Sequence, residues 1–158
     1  MKVLLFSLVL GLLVASEGEA QTDNSQFTGR WISHYNAADN VEKITEGGAF
    51  HTFMRYIEFD EENGTILFHF YVKLPLELLV RYAGNTEFRL ISVDNNALIA
   101  HDINVDGNGK KTEVVQLFGS GDTVNSENIE KFNHAVREKG IPEENIRNII
   151  DNDTCPEE

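Results

Sequence analysis

The chain has 158 residues, of which 41% are hydrophobic, and its 26 acidic and 13 basic residues give it a net charge of −13. A chain of this length folds as one domain with a buried core of its own. The acidic balance argues against nucleic acids and anionic membranes as partners, because both are bound through basic surface.

The chain begins with a segment typical of secretory leaders. A basic residue precedes the apolar run Val3–Val14, and the small residue Ala20 stands at a cleavage position. The run is shorter than the roughly 20 apolar residues that a transmembrane helix needs. We therefore predict a signal peptide at residues 1–20, with cleavage near Ser16 as the alternative. Residues 21–158 then form a single secreted, extracellular domain.

Six segments after the leader alternate between polar and apolar residues, the pattern of half-buried β-strands. Gly29 supplies a turn before the first strand, and Trp31 is the only tryptophan. Residues 74–82 fit either a helix after Pro75 or a strand after a break, and Pro75 excludes a central position in a sheet. The six predicted strands are 32–36, 50–59, 66–73, 87–93, 97–105 and 112–118.

The pattern changes from strand to helix after residue 124. Asn125 or Ser126 caps a predicted helix that runs to Lys139 and stops at Gly140. A short extended piece is predicted at 146–150. One face of the helix is apolar, through Ile129, Phe132 and Val136. This order predicts a mainly β fold, an antiparallel up-and-down β-barrel with one C-terminal helix packed on its wall.

The alternation assigns one face of each strand to the interior of the barrel. The residues predicted to face inwards are Phe50, Thr52, Met54, Tyr56, Phe68, Phe70, Phe88, Leu90, Ala100, Asp102, Val114, Gln116 and Phe118. This mixture of apolar and isolated polar side chains is typical of a pocket for a small ligand. A filled core without a cavity fits the pattern equally well. Asp102 either contacts a polar ligand group or lies at the barrel mouth in water, and we expect the mouth, because burial disfavours a charged carboxylate.

No motif in the chain predicts a metal site, a cofactor or catalysis. An EF-hand pattern spans 102–113, but an EF-hand needs flanking helices and these flanks alternate as strands, so we interpret it as a chance match. The five histidines lack the spacing of a zinc site, and we expect them on strand surfaces. Cys155 is the only cysteine, which in an exported chain indicates an intermolecular bridge, a free thiol or a missing partner.

Several segments besides Gly29-x-Trp31 carry a family resemblance. They are 42–44, 53–55, 82–85, 104–106, 141–146 and 153–156. Together they resemble the lipocalin family, in particular the mammalian odorant-binding proteins and aphrodisin-like pheromone carriers, over nearly all of residues 26–156. The resemblance implies an eight-stranded calyx that carries small apolar molecules in secretions, and several such proteins are respiratory allergens.

The resemblance also implies roles for individual residues. Trp31, introduced by Gly29, closes the barrel floor and is structural. Thr86 and Asp102 stand where relatives often have amides. The candidate ligand-binding residues are Phe50, Thr52, Met54, Phe68, Phe70, Val80, Tyr82, Thr86, Phe88, Ala100, Asp102, Val114 and Gln116.

The chain departs from the family between Lys73 and Tyr82. Relatives carry there a turn, the fourth strand and a cysteine that pairs with the tail cysteine, so roughly fifteen residues are absent, more than two ordinary strands contain. Cys155 thus lacks its usual partner. Residues 74–81 either span the gap as a compressed strand or leave the barrel one strand short.

These features predict a secreted, non-catalytic carrier, a monomer or weak homodimer, whose partner is a small apolar odorant or pheromone. The alternative is a secreted pheromonal or interaction protein that acts through its surface rather than through a ligand.

Overall fold

A computed structural model describes residues 4–11, 24–73 and 84–157. The described residues form nine strands and one α-helix. The strands are β1 (Leu4–Gly11), β2 (Gly29–Arg30), β3 (Ile32–Ala38), β4 (Thr52–Asp60), β5 (Thr65–Val72), β6 (Asn85–Val93), β7 (Ala97–Val105), β8 (Lys111–Gly119) and β9 (Ile146–Asn148). The helix is α1 (Ser126–Glu138), and short 3₁₀ turns lie at Val41–Ile44 and Ile150–Asn152.

The strands form two antiparallel sheets. The first sheet has the order β1-β5-β4-β2 and the second the order β6-β7-β8-β3-β9. The chain passes between the sheets at Trp31, which separates β2 from β3 and donates its backbone N–H to the Arg55 carbonyl on β4 at 3.2 Å. Within the described ranges no pairing joins β5 to β6, and the 74–82 prediction lies outside those ranges. The mainly β, antiparallel fold is confirmed, whereas closure into a barrel stays a prediction.

The predicted element boundaries are confirmed to within about two residues, the usual uncertainty of element ends. The helix begins where its cap predicts, because the Asn125 side chain accepts a hydrogen bond from the Asn128 backbone N–H at 2.9 Å. The extended piece predicted at 146–150 begins as predicted but is shorter. It ends at Asn148, where the chain turns into a 3₁₀ segment at Ile150–Asn152.

Residues 4–11, which belong to the predicted leader, form β1. This strand pairs with β5 along its whole length, from Leu4 opposite Val72 to Gly11 opposite Thr65. An edge strand has unpaired backbone N–H and C=O groups, and an apolar, extended segment readily pairs with them. Cleavage after residue 20 would therefore remove β1 and leave that edge of β5 without it.

The core has two layers, one on each side of the second sheet. Successive side chains of β7 and β8 point to opposite faces of the second sheet. Leu98 and Phe118 therefore face the first sheet, whereas Ile99 and Leu117 face the helix. The helix covers the outer layer with Phe132, Ala135 and Val136, and Ile129 packs against it. The predicted apolar face of the helix is thus confirmed.

The C-terminal segment, residues 146–157, connects the two sheets. Its first part is β9, which pairs with β3 in the second sheet. Its last part is held by Arg55 of β4 in the first sheet, whose guanidinium lies 2.6 Å from the Asp153 carboxylate and also donates to the carbonyls of Cys155 and Pro156. We call this segment the C-terminal strap.

Candidate functional site

The space between the two sheets is lined by apolar side chains from both walls. Its buried members come from both sheets and from the crossover at Trp31, and half-buried aromatic and aliphatic residues pack against them. We call this set the interior cluster. The buried members are Phe27, Trp31, Met54, Ile57, Ile66, Phe68, Leu98, Ala100 and Phe118, and the half-buried members are Phe59, Phe70, Phe88, Leu90 and Val93.

The structure brings together many, but not all, of the candidate ligand-binding residues. The candidates within the interior cluster are Met54, Phe68, Phe70, Phe88 and Ala100. Phe68 and Phe88 meet across the two sheets with ring centroids 5.3 Å apart. Val114 and Phe50 instead pack with Ala38 and Ile44 in a separate cluster. Val80 and Tyr82 lie outside the described residues.

Tyr56 was predicted to face inwards, and this prediction is wrong. The register of β4 against β5 shifts between Met54 and Tyr56 at a β-bulge, which inserts one extra residue into the strand. The bulge reverses the alternation, so that Ile57 points inwards and Tyr56 is 40% exposed beside His69.

The two predicted structural residues lie at the crossover between the sheets. Gly29 pairs with Ile57 of β4. Trp31 is 5% exposed, and its indole Nε1–H donates to the Phe27 carbonyl at 2.9 Å. Because the protein itself satisfies this donor, Trp31 contributes apolar surface to the interior rather than a hydrogen bond.

Several of the buried polar side chains on the inner strand faces bond to other side chains there. The Gln116 amide donates to Asn36, and Asn36 donates in turn to the Phe50 carbonyl at 2.9 Å. Asn104 donates to the Thr86 hydroxyl at 3.0 Å. Asn36 and Asn104 were missed in the sequence, although Asn104 shares a strand face with the candidate Asp102. Thr52, another candidate, is 7% exposed.

Asp102 lies in the interior, and its predicted place at a solvated mouth is wrong. It sits within the nine-residue strand β7, paired with Phe88 on β6 and Val114 on β8, and is only 4% exposed. Its Oδ1 has no hydrogen-bond partner within the described part of the chain. Burial raises the pKa of this carboxyl to about 8, so Asp102 is largely neutral at pH 7.

Two of the five histidines are buried rather than on the surface as predicted. His34 Nε2 lies 2.8 Å from the Gly121 carbonyl, and His101 Nε2 lies 3.1 Å from the Glu113 carboxylate on the outer face of β8. Burial lowers the pKa of His101. Residues 4–11, 24–73 and 84–157 contain no group of three or more side chains suited to a metal ion.

The segment that matches an EF-hand pattern is a β-hairpin. β7 and β8 flank its turn, and Asp106 Oδ1 accepts the backbone N–H groups of Asn108 and Lys110. The other carboxylate oxygen lies 3.1 Å from the buried Lys43 ammonium. These hydrogen bonds and this ion pair hold the pKa of Asp106 below its usual range. Asp106 therefore fastens the turn to the Val41–Ile44 segment.

Comparisons with known proteins agree on one group. A family model described as the lipocalin / cytosolic fatty-acid binding protein family matches residues 68–153. The chain is 34% identical to the odorant-binding protein of Bos taurus, over 90% of this chain and 98% of that protein. A dog lipocalin allergen of known structure is 40% identical with a TM-score of 0.76, over 83% of this chain and 98% of that one. A bovine odorant-binding protein in complex with undecanal is 34% identical with a TM-score of 0.55, over 89% of this chain and 99% of that one.

No helix within the described residues has the length and apolar character needed to cross a bilayer.

Proposed function

This chain belongs to the lipocalin family, and on that basis we propose that it is a secreted, non-catalytic carrier of small hydrophobic odorants or pheromones, which it holds between its two sheets. The bovine relative that forms a complex with undecanal binds a molecule of this kind. The apolar leader at residues 1–20 supports secretion.

The observation that carries this proposal is the partial burial of aromatic rings on the two facing walls of the interior cluster. Phe70 and Phe88 line it from opposite sheets, and both remain half-buried although each is joined to fully buried neighbours. Large apolar side chains in a filled core are usually buried completely. Half-buried rings on facing walls therefore favour an interior that accepts an apolar guest.

The expected affinity follows from the apolar area that such a guest buries. A ligand of about ten carbons gains roughly 8 kcal/mol at about 0.8 kcal/mol per methylene, before the cost of association. Micromolar dissociation corresponds to about 8.2 kcal/mol. We therefore expect micromolar or weaker binding, with selectivity set by shape and by the few polar groups of the interior.

The surroundings of Cys155 support a carrier rather than an enzyme. This cysteine lies in the C-terminal strap, packed with Phe53, Tyr71 and Ile149, and not among the interior cluster. Burial raises the pKa of its thiol, so it stays protonated rather than becoming the reactive thiolate.

A dye-displacement assay with a matched pair of variants tests the proposal. N-phenyl-1-naphthylamine is expected to bind the purified protein with enhanced fluorescence, and undecanal to displace it. Phe88→Trp should change the dye affinity severalfold because the ring faces the interior. Ile91→Trp places the same ring on the exposed side of β6 and should leave the affinity unchanged.

The absence of dye binding at high micromolar protein, in a sample shown by circular dichroism to be folded, would overturn the carrier proposal. Equal effects of Phe88→Trp and Ile91→Trp would place the dye outside the interior and overturn it as well.

A further inference from the structure

The Asp102 carboxyl is an unexplained group in the interior of the carrier. An unsatisfied buried polar atom costs stability, and an apolar residue of similar size would avoid that cost. Oδ1 of Asp102 has no partner among the described residues, and the side chain is almost completely buried. Such an atom in a binding space calls for a partner that comes from outside the protein.

The side chains that share the inner strand faces with Asp102 are neutral. Its own strand contributes Leu98, Ala100 and Asn104, and the remaining ones come from β6, β8 and the first sheet. They are Thr86, Phe88, Leu90, Thr112, Val114, Gln116, Met54, Phe68 and Phe70.

The charged residues of the flanking strands lie on the opposite face. Glu87 and Arg89 of β6 are exposed and bond to each other, and Glu113 of β8 pairs with His101 and Lys111. Burial is the cause of the raised pKa of Asp102, which agrees with a carboxyl that has no charged neighbour of either sign among the described residues.

A carboxyl differs chemically from the amides and hydroxyls around it in one respect. It can lose a proton and then pair with a cation. Gln116 and Thr86 can form hydrogen bonds with a carbonyl or hydroxyl group of a ligand, but neither side chain becomes negatively charged. An ammonium group beside Asp102 would donate a charge-assisted hydrogen bond to the carboxylate. Such a bond is strong in apolar surroundings. The net charge of −13 also raises the concentration of cations near the protein.

We propose that Asp102 binds the amino group of small apolar alkylamines, so that the carrier selects these amines over neutral molecules of the same size. This inference rests on the proposed function, because the apolar part of the amine must occupy the space between the sheets.

Binding of an amine has a defined proton balance. A free alkylamine is an ammonium ion at neutral pH, and the Asp102 carboxyl is largely protonated in the empty protein. When the ammonium ion enters, the carboxyl releases its proton to solvent and the resulting carboxylate pairs with the ammonium. Amine affinity should therefore rise about tenfold per pH unit up to about pH 8 and then level off. The affinity for a neutral alcohol should not rise with pH.

The test compares 1-octylamine with 1-octanol as competitors of N-phenyl-1-naphthylamine. At about pH 8 the amine should bind roughly tenfold more tightly than the alcohol, the size expected of a hydrogen bond to a charged group. Its affinity should fall about tenfold per unit on acidification, and calorimetry near pH 6 should show about one proton released per amine bound.

Two variants separate the effect of this carboxyl from that of the net charge. Asp102→Asn keeps the shape of the side chain and should lose both the preference for octylamine over octanol, measured in the same variant, and the pH dependence of octylamine binding. Glu87→Gln removes an exposed carboxylate from the outer face of β6 and should change neither.

Each failure has a distinct signature. Equal affinities for octylamine and octanol at about pH 8, or an amine preference that survives Asp102→Asn, would overturn this inference while leaving the carrier function intact. If neither the dye nor octanol binds the folded protein, the proposed function fails and this inference fails with it.

Discussion

Arg55 is the residue on which the attachment of the C-terminal strap depends. Its side chain is 11% exposed and that of Asp153 is 9% exposed, and the guanidinium bonds to both carboxylate oxygens. Because Arg55→Ala leaves Asp153 buried without its cation, we expect the free energy of unfolding to fall by about 3 kcal/mol. Urea denaturation followed by circular dichroism measures this change.

Arg89 offers a matched control for Arg55. It also pairs with a carboxylate, that of Glu87, but both side chains are more than half exposed. Arg89→Ala should therefore change the free energy of unfolding by less than about 0.5 kcal/mol. Equal losses of unfolding free energy in Arg55→Ala and Arg89→Ala would show that the attachment of the strap contributes no more to stability than an exposed ion pair.

Asp102 should make the protein less stable as the pH rises. The folded chain holds a proton at Asp102 up to about pH 8, whereas the unfolded chain loses it near an ordinary pKa of about 4. The unfolded state therefore binds fewer protons between these values, and the free energy of unfolding falls by about 1.4 kcal/mol per pH unit. Between about pH 5 and pH 7 the free energy of unfolding of the wild type should therefore fall relative to that of Asp102→Asn. Parallel stability profiles of the two proteins would contradict it.

Alternation predicts much of the interior at the level of single residues, and its errors have local causes. Met54, Phe88 and Ala100 face inwards as predicted. Tyr56 does not, because the bulge in β4 has no signature in the sequence and reverses the faces beyond it. The alternation places Asp102 on the inner face, but only the paired strands on both sides show that water does not reach it.

The helix is the element whose limits follow most directly from the sequence. Asn125 accepts the backbone N–H of Asn128, and Lys139 and Gly140 close the last turn against the Ala135 and Arg137 carbonyls. The free backbone groups at each helix end need such partners, so residues suited to capping mark the boundaries. The bulge and the turn after β9 depend instead on contacts distant in sequence.

Asn125→Ala should weaken the helix through the loss of its N-terminal cap. The Asn128 backbone N–H would lose its acceptor, which typically lowers the free energy of unfolding by about 1 kcal/mol. Ser126→Ala, one residue later and outside the cap position, should have a smaller effect because alanine is a good helix former. Urea denaturation measures the free energy of unfolding of both variants. A larger loss for Ser126→Ala than for Asn125→Ala would contradict the assignment of Asn125 as the N-terminal cap.

For the whole molecule, the edge of β5 is the feature that would be most affected if the predicted leader, residues 1–20, were removed. β1 covers this edge along eight residue pairs, and an uncovered edge strand is a template for pairing with another chain. We expect the chain without residues 1–20 to self-associate, and light scattering should show a mass that increases with concentration. A monomer at every concentration would contradict this prediction.

Leu67→Lys tests whether that association uses β5. Leu67 lies on the opposite face from Ile66 and Phe68, which belong to the interior cluster, and a lysine on an edge strand disfavours pairing with a second strand. In the chain without residues 1–20, Leu67→Lys should increase the fraction of monomer. The same substitution on the exposed face of β6, Ile91→Lys, should not.

The mainly β, antiparallel character of the fold follows from the sequence, but its division into two sheets and its closure do not. Six alternating segments and one capped helix predict the strands and the helix, and the lipocalin resemblance predicts a barrel. The resemblance implies a longer segment between Lys73 and Tyr82 than this chain has, so neither periodicity nor resemblance determines how β5 and β6 are connected.

The C-terminal strap has a consequence for biosynthesis. Arg55 meets Asp153 across a sequence separation of 98 residues, and β9 pairs with β3 across an even larger separation. These contacts form only after the chain has been translated past Asp153 and this segment has left the ribosome. The strap therefore docks after the rest of the two sheets has been synthesised, and nascent chains that stop short of Asp153 leave the guanidinium of Arg55 without its counterion.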